Sequence, residues 1–428
     1  MGSNRTLSAD SAVYARRESE VRSYCRHYAM EFDTAAGSVV RDSVGREYID
    51  FLAGAGALNY GHNDPDMADA LVAHIRRGGI AHGLDLHTSA KSAFLESFER
   101  LVLVPRGMTH RVQFTGPTGT NGVEAALKLA RKVTGRRNVV AFTNGFHGVS
   151  AGALAATGNR HHRLGGAVSL PDVTRLPYDG YLDGLDSAAL LERLLADGSS
   201  GVDAPAAVLL ESVQGEGGLT AASPQWLRRI AGIAREHSAA LILDDVQAGC
   251  GRTGSFLSTD PIGVTPDLIV LSKSISGFGL PMAIVLIAPE WDAWSPGEHN
   301  GTFRGNAHAF VTARVALEKF WSDDGLGSDV ARRSALVRER LERIATTVPG
   351  ARVKGRGMMQ GVDVGYGGLA AEVCRRAGEH GLIVETSGAS DEVVKVLAPL
   401  TTPDALLARG LDILEEAANA SIRTSVAL

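Results

Sequence analysis

A chain of 428 residues with 44% hydrophobic content can bury more than one large core, which excludes small scaffolds held together by disulfides or metal. The formal net charge of −5 comes with lysine and arginine scattered along the chain, so there is no basic stripe for a phosphate backbone and nucleic acid is not an expected partner. Three widely spaced cysteines, Cys25, Cys250 and Cys374, form neither a disulfide framework nor a paired zinc knuckle and point to a reducing cytoplasm.

The first thirty residues carry Arg5, Arg16, Arg17, Arg22 and Arg26 without an apolar core, and no later uncharged run approaches ~18 residues, so neither export nor a membrane span is expected. Residues 39–51 read as a hairpin turning over Asp42 to Gly45, expected to pack with the C-terminal part. Short apolar runs then recur at 111–115, 138–142, 206–211, 240–244 and 267–272, and their fully apolar character predicts strands buried on both faces. Helical stretches separate them. Over 121–133, Val123, Ala126, Leu127, Ala130 and Val133 share one face, and Gly135 follows as a stop. Strand and helix in alternation predict a wound α/β sheet. After residue 310 the rhythm changes. Helices are expected over 307–321 and 329–347, then strands over 353–364 broken by Gly355, Gly357 and Gly361, then strands at 382–385 and 393–397. The expected division is an N-terminal segment over 1–60 that packs with the small domain, a large domain over 61–310 and a smaller α+β domain over 311–428.

Wound sheets bind ligands beyond the carboxyl ends of their strands, which is where Thr115, Glu211, Asp244 and Lys273 fall. A lone lysine after a strand is ordinarily a solvated surface residue, and only its company changes that reading. An amine at one strand end can form a Schiff base with the aldehyde of pyridoxal phosphate, while a carboxylate at a neighbouring end holds the pyridine nitrogen protonated. The Gly- and Thr-rich loop 114–124 opens directly into a helix at Asn121, which suits a phosphate dianion; a helix cap and nothing more is the competing reading. His147 follows a strand and sits beside Phe146, an aromatic that can stack on a flat ring or simply pack in the core. Gly249-Cys-Gly-Arg-Thr-Gly254 spells G-x-G-x-x-G, but no helical period follows it, so a structural turn is expected rather than a dinucleotide site. Neither His82 with His87 nor His161 with His162 has ligand spacing beside a partner carboxylate, and no metal is expected.

Together these segments resemble the class III, or ω-amino acid, aminotransferases of pyridoxal phosphate fold type I. The similarity runs from 40–51 and Asn59-Tyr-Gly-His62 through Glu211-Ser-Val-Gln-Gly-Glu-Gly-Gly218, 243–254 and Leu271-Ser-Lys273. The resemblance implies a large domain with a mostly parallel seven-stranded sheet and a smaller α+β domain. It makes Lys273 the Schiff-base lysine and Asp244 the partner of the ring nitrogen, with Val246 and Phe146 on the two ring faces and Gln247 near the ring hydroxyl. His147 and Glu211 belong to the same cofactor site, and Gly119, Thr120 and Asn121 to the phosphate. Thr302 resembles a threonine that reaches the phosphate from the second subunit, which implies a homodimer or higher oligomer. Glu216 and Lys395 are assigned to substrate. Two positions depart from the family pattern. Asp245 stands where glutamate is frequent, and Lys395 stands where an arginine commonly takes the substrate carboxylate; a lysine makes a point-charge contact rather than a fork.

Within the family, segments 114–121, 272–283 and 297–306 look most like the diaminobutyrate aminotransferases of ectoine biosynthesis. The implied reaction moves an amino group from L-glutamate to L-aspartate 4-semialdehyde, giving L-2,4-diaminobutyrate and 2-oxoglutarate. A 4-aminobutyrate-type or ornithine-type enzyme and an aminomutase on the same scaffold remain as alternatives.

Overall fold

The structure is a computed structural model that describes residues 13–165 and 169–426; Arg5 lies outside them. Its frame is a seven-stranded sheet of β4 (Arg111–Phe114), β5 (Val139–Phe142), β6 (Val173–Leu176), β7 (Ala207–Leu210), β8 (Ala240–Asp244), β9 (Leu268–Leu271) and β10 (Ile284–Ile287), in the spatial order β4-β10-β9-β8-β7-β5-β6. All neighbouring pairs are parallel except the two made by β10, which runs antiparallel to both β4 and β9. Strands β5, β7, β8, β9 and β10 are buried at every position. That is why their sequence is apolar without alternation: helices cover both faces of a parallel sheet. Each such Val, Leu or Ile contributes ~1.5–3 kcal/mol by leaving water. The helix Gly119–Thr134 lies so close to β9 that a side chain at Gly122 would meet Val270 Cγ1 at 2.5 Å, so this helix and the lysine-bearing strand are seated directly against each other.

Two strands of this sheet were not legible as such. β6 is an edge strand whose Thr174 and Arg175 are half-buried, so it lacks the apolar signature, and β10 follows the lysine segment with only a 3-10 turn between. The stretch 382–385, expected as one strand, is two: β13 (Leu382–Ile383) and β14 (Glu385–Ser387) join different sheets.

The smaller sheets take the remaining chain. β1 (Phe32–Ala36), β2 (Val39–Asp42) and β3 (Glu47–Asp50) form an antiparallel meander whose outer strand β3 pairs in parallel with β13. β11 (Arg352–Arg356), β12 (Met359–Asp363), β15 (Val393–Val396) and β14 make a four-stranded sheet in the order β11-β12-β15-β14. Ile49, Phe51 and Tyr60 share one apolar cluster with Val337, Leu341, Val362, Leu382 and Leu411, so the N-terminal hairpin and the C-terminal helices bury a common core. The G-x-G-x-x-G stretch is a turn, with Cys250 N donating to Phe256 O at 2.8 Å and Gly251 N to Ser255 O at 3.1 Å. Its Arg252 is fully buried and donates to Asn59 Oδ1, Met358 O and Ala398 O, three stretches far apart in sequence.

Candidate active site

A cavity of about 400 Å³ opens beyond the carboxyl ends of β7, β8 and β9, and it gathers most of the residues singled out from sequence. Gly119 and Thr120 come from the helix start, Phe146 and His147 from the loop after β5, and Glu211 and Glu216 from the end of β7 and its loop. Asp244, Val246, Gln247 and Lys273 come from the ends of β8 and β9. A larger cleft of about 510 Å³, lined by Arg228, Arg235, Asp267 and Trp291, lies toward the amino ends of β8 and β9, away from the amine and carboxylates, so its size does not make it the reactive site.

β8 and β9 are parallel neighbours with Asp244 opposite Val270, so the chain delivers Lys273 just past the level of Asp244. Lys273 opens a short 3-10 turn with φ of 51°, a left-handed conformation that a lysine adopts only where its surroundings impose it. Burial lowers its pKa, while the carboxylate of Glu216 acts in the opposite direction. The result is an amine more easily found neutral, as a nucleophile or proton acceptor must be. Asp244 Oδ2 lies 2.8 Å from His147 Nδ1, and a carboxylate only accepts, so Nδ1 carries the proton. Burial opposes charge on this ring, but the hydrogen bond and charge of Asp244, with the charge of Glu211, outweigh it and raise the His147 pKa. Asp244 Oδ1 accepts from Val246 N at 3.2 Å, which fixes the carboxylate plane.

Glu211 braces two loops, accepting from Phe146 N at 3.0 Å and from Gly215 N at 2.9 Å. Its pKa is pushed up to about 7 by burial, against the pull of His147. Gln247 donates to Ala55 O at 3.0 Å and to Glu216 Oε1 at 3.1 Å, leaving its own Oε1 buried without a partner. Gly215 leaves room for that oxygen, because a side chain there would come within 2.0 Å of it. An orphaned acceptor beside an amine, a carboxylate and two apolar walls, Phe146 and Val246, fits a hydroxylated pyridine ring; the helix start at Gly119 fits its phosphate.

Three sequence-designated residues lie outside the cavity wall. Asn121 turns back to close a capping box, its Oδ1 accepting from Thr118 Oγ1 at 2.9 Å, so its carboxamide serves the helix end. Thr302 is exposed on a short 3-10 turn beside Phe303, which is 67% exposed. Lys395 is fully buried behind the wall, 3.0 Å from Glu216 Oε1 and 2.8 Å from Glu385 Oε1. Glu385 was not identified from sequence; it is legible only once the register of β14 against β15 places it directly opposite Lys395. The wall also takes Ala57, Gly148, Ser272 and the stretch 279–282, small or apolar residues with no chemical signature of their own. Asp245 points away, accepting from Ser258 N at 3.0 Å, and burial pushes its pKa up to about 7. His162 packs edge-on against Phe146 at 5.3 Å, and among the described residues no group of three His, Cys, Asp or Glu converges as a metal-ligand set. No helix among them is long and apolar enough to cross a membrane.

A diaminobutyrate--2-oxoglutarate transaminase of Vibrio cholerae is 55% identical over 405 residues, covering 94% of this chain and 98% of that protein. One from Halomonas elongata is 52% identical over 409 residues, covering 94% and 97%. Among solved structures, the ornithine aminotransferase of Toxoplasma gondii superposes with a TM-score of 0.83 at 25% identity, covering 96% of this chain and 94% of that one, and its description places PLP at the active site. The model of the family "Aminotransferase class-III" matches residues 22–418, spanning every residue that lines the cavity, and with the amine and carboxylate standing on adjacent strand ends the chain belongs to the class III aminotransferases.

Proposed function

We propose that this protein uses pyridoxal 5'-phosphate to move an amino group between L-glutamate and L-aspartate 4-semialdehyde, giving L-2,4-diaminobutyrate and 2-oxoglutarate. The observation that carries the chemistry is the Lys273 amine and the Asp244 carboxylate at the ends of adjacent parallel strands facing one cavity. The substrate assignment is supported by relatives named for this activity over nearly the whole chain. When bound, the cofactor supplies a protonated pyridine ring that draws electron density from the substrate carbon.

The chain's own residues do the rest. Lys273 Nζ, biased toward its neutral form by burial, removes the proton from the carbon bearing the amino group and returns it at the neighbouring position. Asp244, oriented by His147 and by Val246 N, would hold the proton of the ring nitrogen. Gln247 Oε1, buried without a partner, would accept from the ring hydroxyl, and Phe146 and Val246 would be the residues that hold the ring. The start of the Gly119–Thr134 helix takes the phosphate through backbone N–H groups and the Thr120 hydroxyl. Lys395 lies behind Glu216 and would meet a substrate carboxylate only where Glu216, its counter-ion in this structure, moves aside; the pKa of Glu216 is held at about 2 by Lys395 and Lys273 against its burial.

The panel that tests the substrate is 2,4-diaminobutyrate, 4-aminobutyrate and ornithine, each with 2-oxoglutarate as acceptor. Diaminobutyrate is expected to have the highest kcat/KM. Ornithine, one methylene longer, should lose ~10–200-fold, and 4-aminobutyrate, which lacks the α-ammonium, should lose more. A preference for either of the other amines would leave the aminotransferase standing and defeat the diaminobutyrate reading.

The assembly belongs to the same proposal: a cytoplasmic homodimer in which the exposed Thr302 reaches the phosphate of the facing site. A division at 1–60, 61–310 and 311–428 is supported by the shared core of the N-terminal hairpin and C-terminal helices. Mixing Lys273→Ala chains with Thr302→Ala chains puts both lesions in one site of the heterodimer and leaves the other whole. Recovered activity is expected; none, with subunit exchange verified, would count against a shared site.

A further inference from the structure

Thr302 is exposed, but the segment that carries it is fastened on both sides. On the amino-terminal side the fastening is Glu298, held at three points. Lys132 Nζ lies 2.5 Å from Glu298 Oε2, Lys128 Nζ donates to Glu298 O at 2.7 Å, and Ser295 N donates to the same Oε2 at 2.9 Å. Lys128 and Lys132 stand one turn apart on the helix Gly119–Thr134, whose first turn faces the cavity. Trp294 extends the contact. Its Nε1 donates to Gln113 Oε1 on β4 at 3.1 Å, Lys128 Nζ sits 5.5 Å from the centre of its ring, and the ring meets that of His299 at 5.5 Å.

On the carboxyl-terminal side, Gly305 O accepts from Gly83 N at 2.9 Å and Asn306 Nδ2 donates to Pro281 O at 3.0 Å. Between the two fastenings Gly301 passes close to the Gly/Thr-rich loop, where a side chain would stand 3.8 Å from Gly116 N. Thr302 and Phe303 are exposed at the crest of this span. A single solvent-exposed ion pair orders little by itself. Here the pair acts on a residue whose backbone carries a second lysine contact and whose carboxylate also closes the turn from Ser295, so Glu298 sets where the crest stands relative to the helix.

We propose that Glu298 is a positioning residue for the facing subunit: by tying its loop to Lys132, it holds Thr302 where the phosphate of the other site is reached. The helix that opens at one phosphate thereby aims the loop that serves the other. The proposal deepens the facing-site reading of Thr302 and rests on it.

Lys273→Ala marks a site, because a chain without that amine contributes no absorbance of lysine-bound cofactor. In heterodimers purified through two different tags, only the live site is then read. With Lys273→Ala on one chain and Glu298→Ala on the other, the live site faces an intact loop, and its cofactor Kd should match the wild type. With both substitutions on one chain and a wild-type partner, the live site faces the damaged loop, and Kd should rise on the order of 10-fold. Lys132→Met in place of Glu298→Ala should give the same pattern. The reverse pattern, or equal Kd in the two arrangements, would overturn the proposal, since a residue that merely stabilises its own chain acts on its own site. Thr302→Ala run in the same two arrangements separates the causes. If it shows the expected pattern and Glu298→Ala does not, the facing-site reading stands and the role of Glu298 falls. If Thr302→Ala instead raises Kd at its own chain's site, that reading fails and takes the role of Glu298 with it.

Discussion

Lys273→Ala is expected to fold normally and to lose on the order of 10⁵-fold or more in kcat, because the amine proposed to take and return the proton is gone. The substitution removes an ammonium that burial disfavours, so Tm should be unchanged or slightly higher. Alanine tolerates the φ of 51° no worse than lysine does. Borohydride reduction of the wild-type holoenzyme followed by peptide mapping is the direct check. A pyridoxyl adduct on any lysine but 273 would move the catalytic role.

The second large effect is Asp244→Asn. The amide is isosteric, so the cavity should persist and still bind cofactor. It carries no charge, however, and cannot hold the ring proton, which should cost on the order of 10³-fold in kcat, or ~4 kcal/mol of transition-state stabilisation. His147 loses its partner charge in the same step, so its pKa should fall toward that of a buried neutral imidazole. Chemical-shift titration of His147 alongside steady-state rates separates the two consequences. Near-normal turnover in this variant would mean that another group holds the proton.

The end of the cavity that carries Lys273 and Asp244 was legible in sequence because it consists of strand ends. A fully buried parallel strand is a run of apolar residues that stops where a polar one appears, and Asp244, Glu211 and Ser272, next to Lys273, are those stops. Asn121 marks the limit of such reading. Thr118 and Asn121 have the spacing of a capping box, and the same Gly/Thr-rich loop serves equally well as a phosphate cradle; only the folded geometry shows which atoms the side chain engages. The substrate end was half-legible. Lys395 in an apolar strand stands out in sequence, but its second partner is set by the register of two strands that no local pattern encodes, and so Glu385 stayed hidden.

That division of labour also bears on how such an enzyme diverges. Lys273, Asp244 and the helix start at Gly119 all belong to the large sheet and its flanking helix, whereas Glu385 and Lys395 face each other on two adjacent strands of a separate small sheet. Changing that facing pair alters the charge buried behind Glu216 while leaving the large sheet untouched.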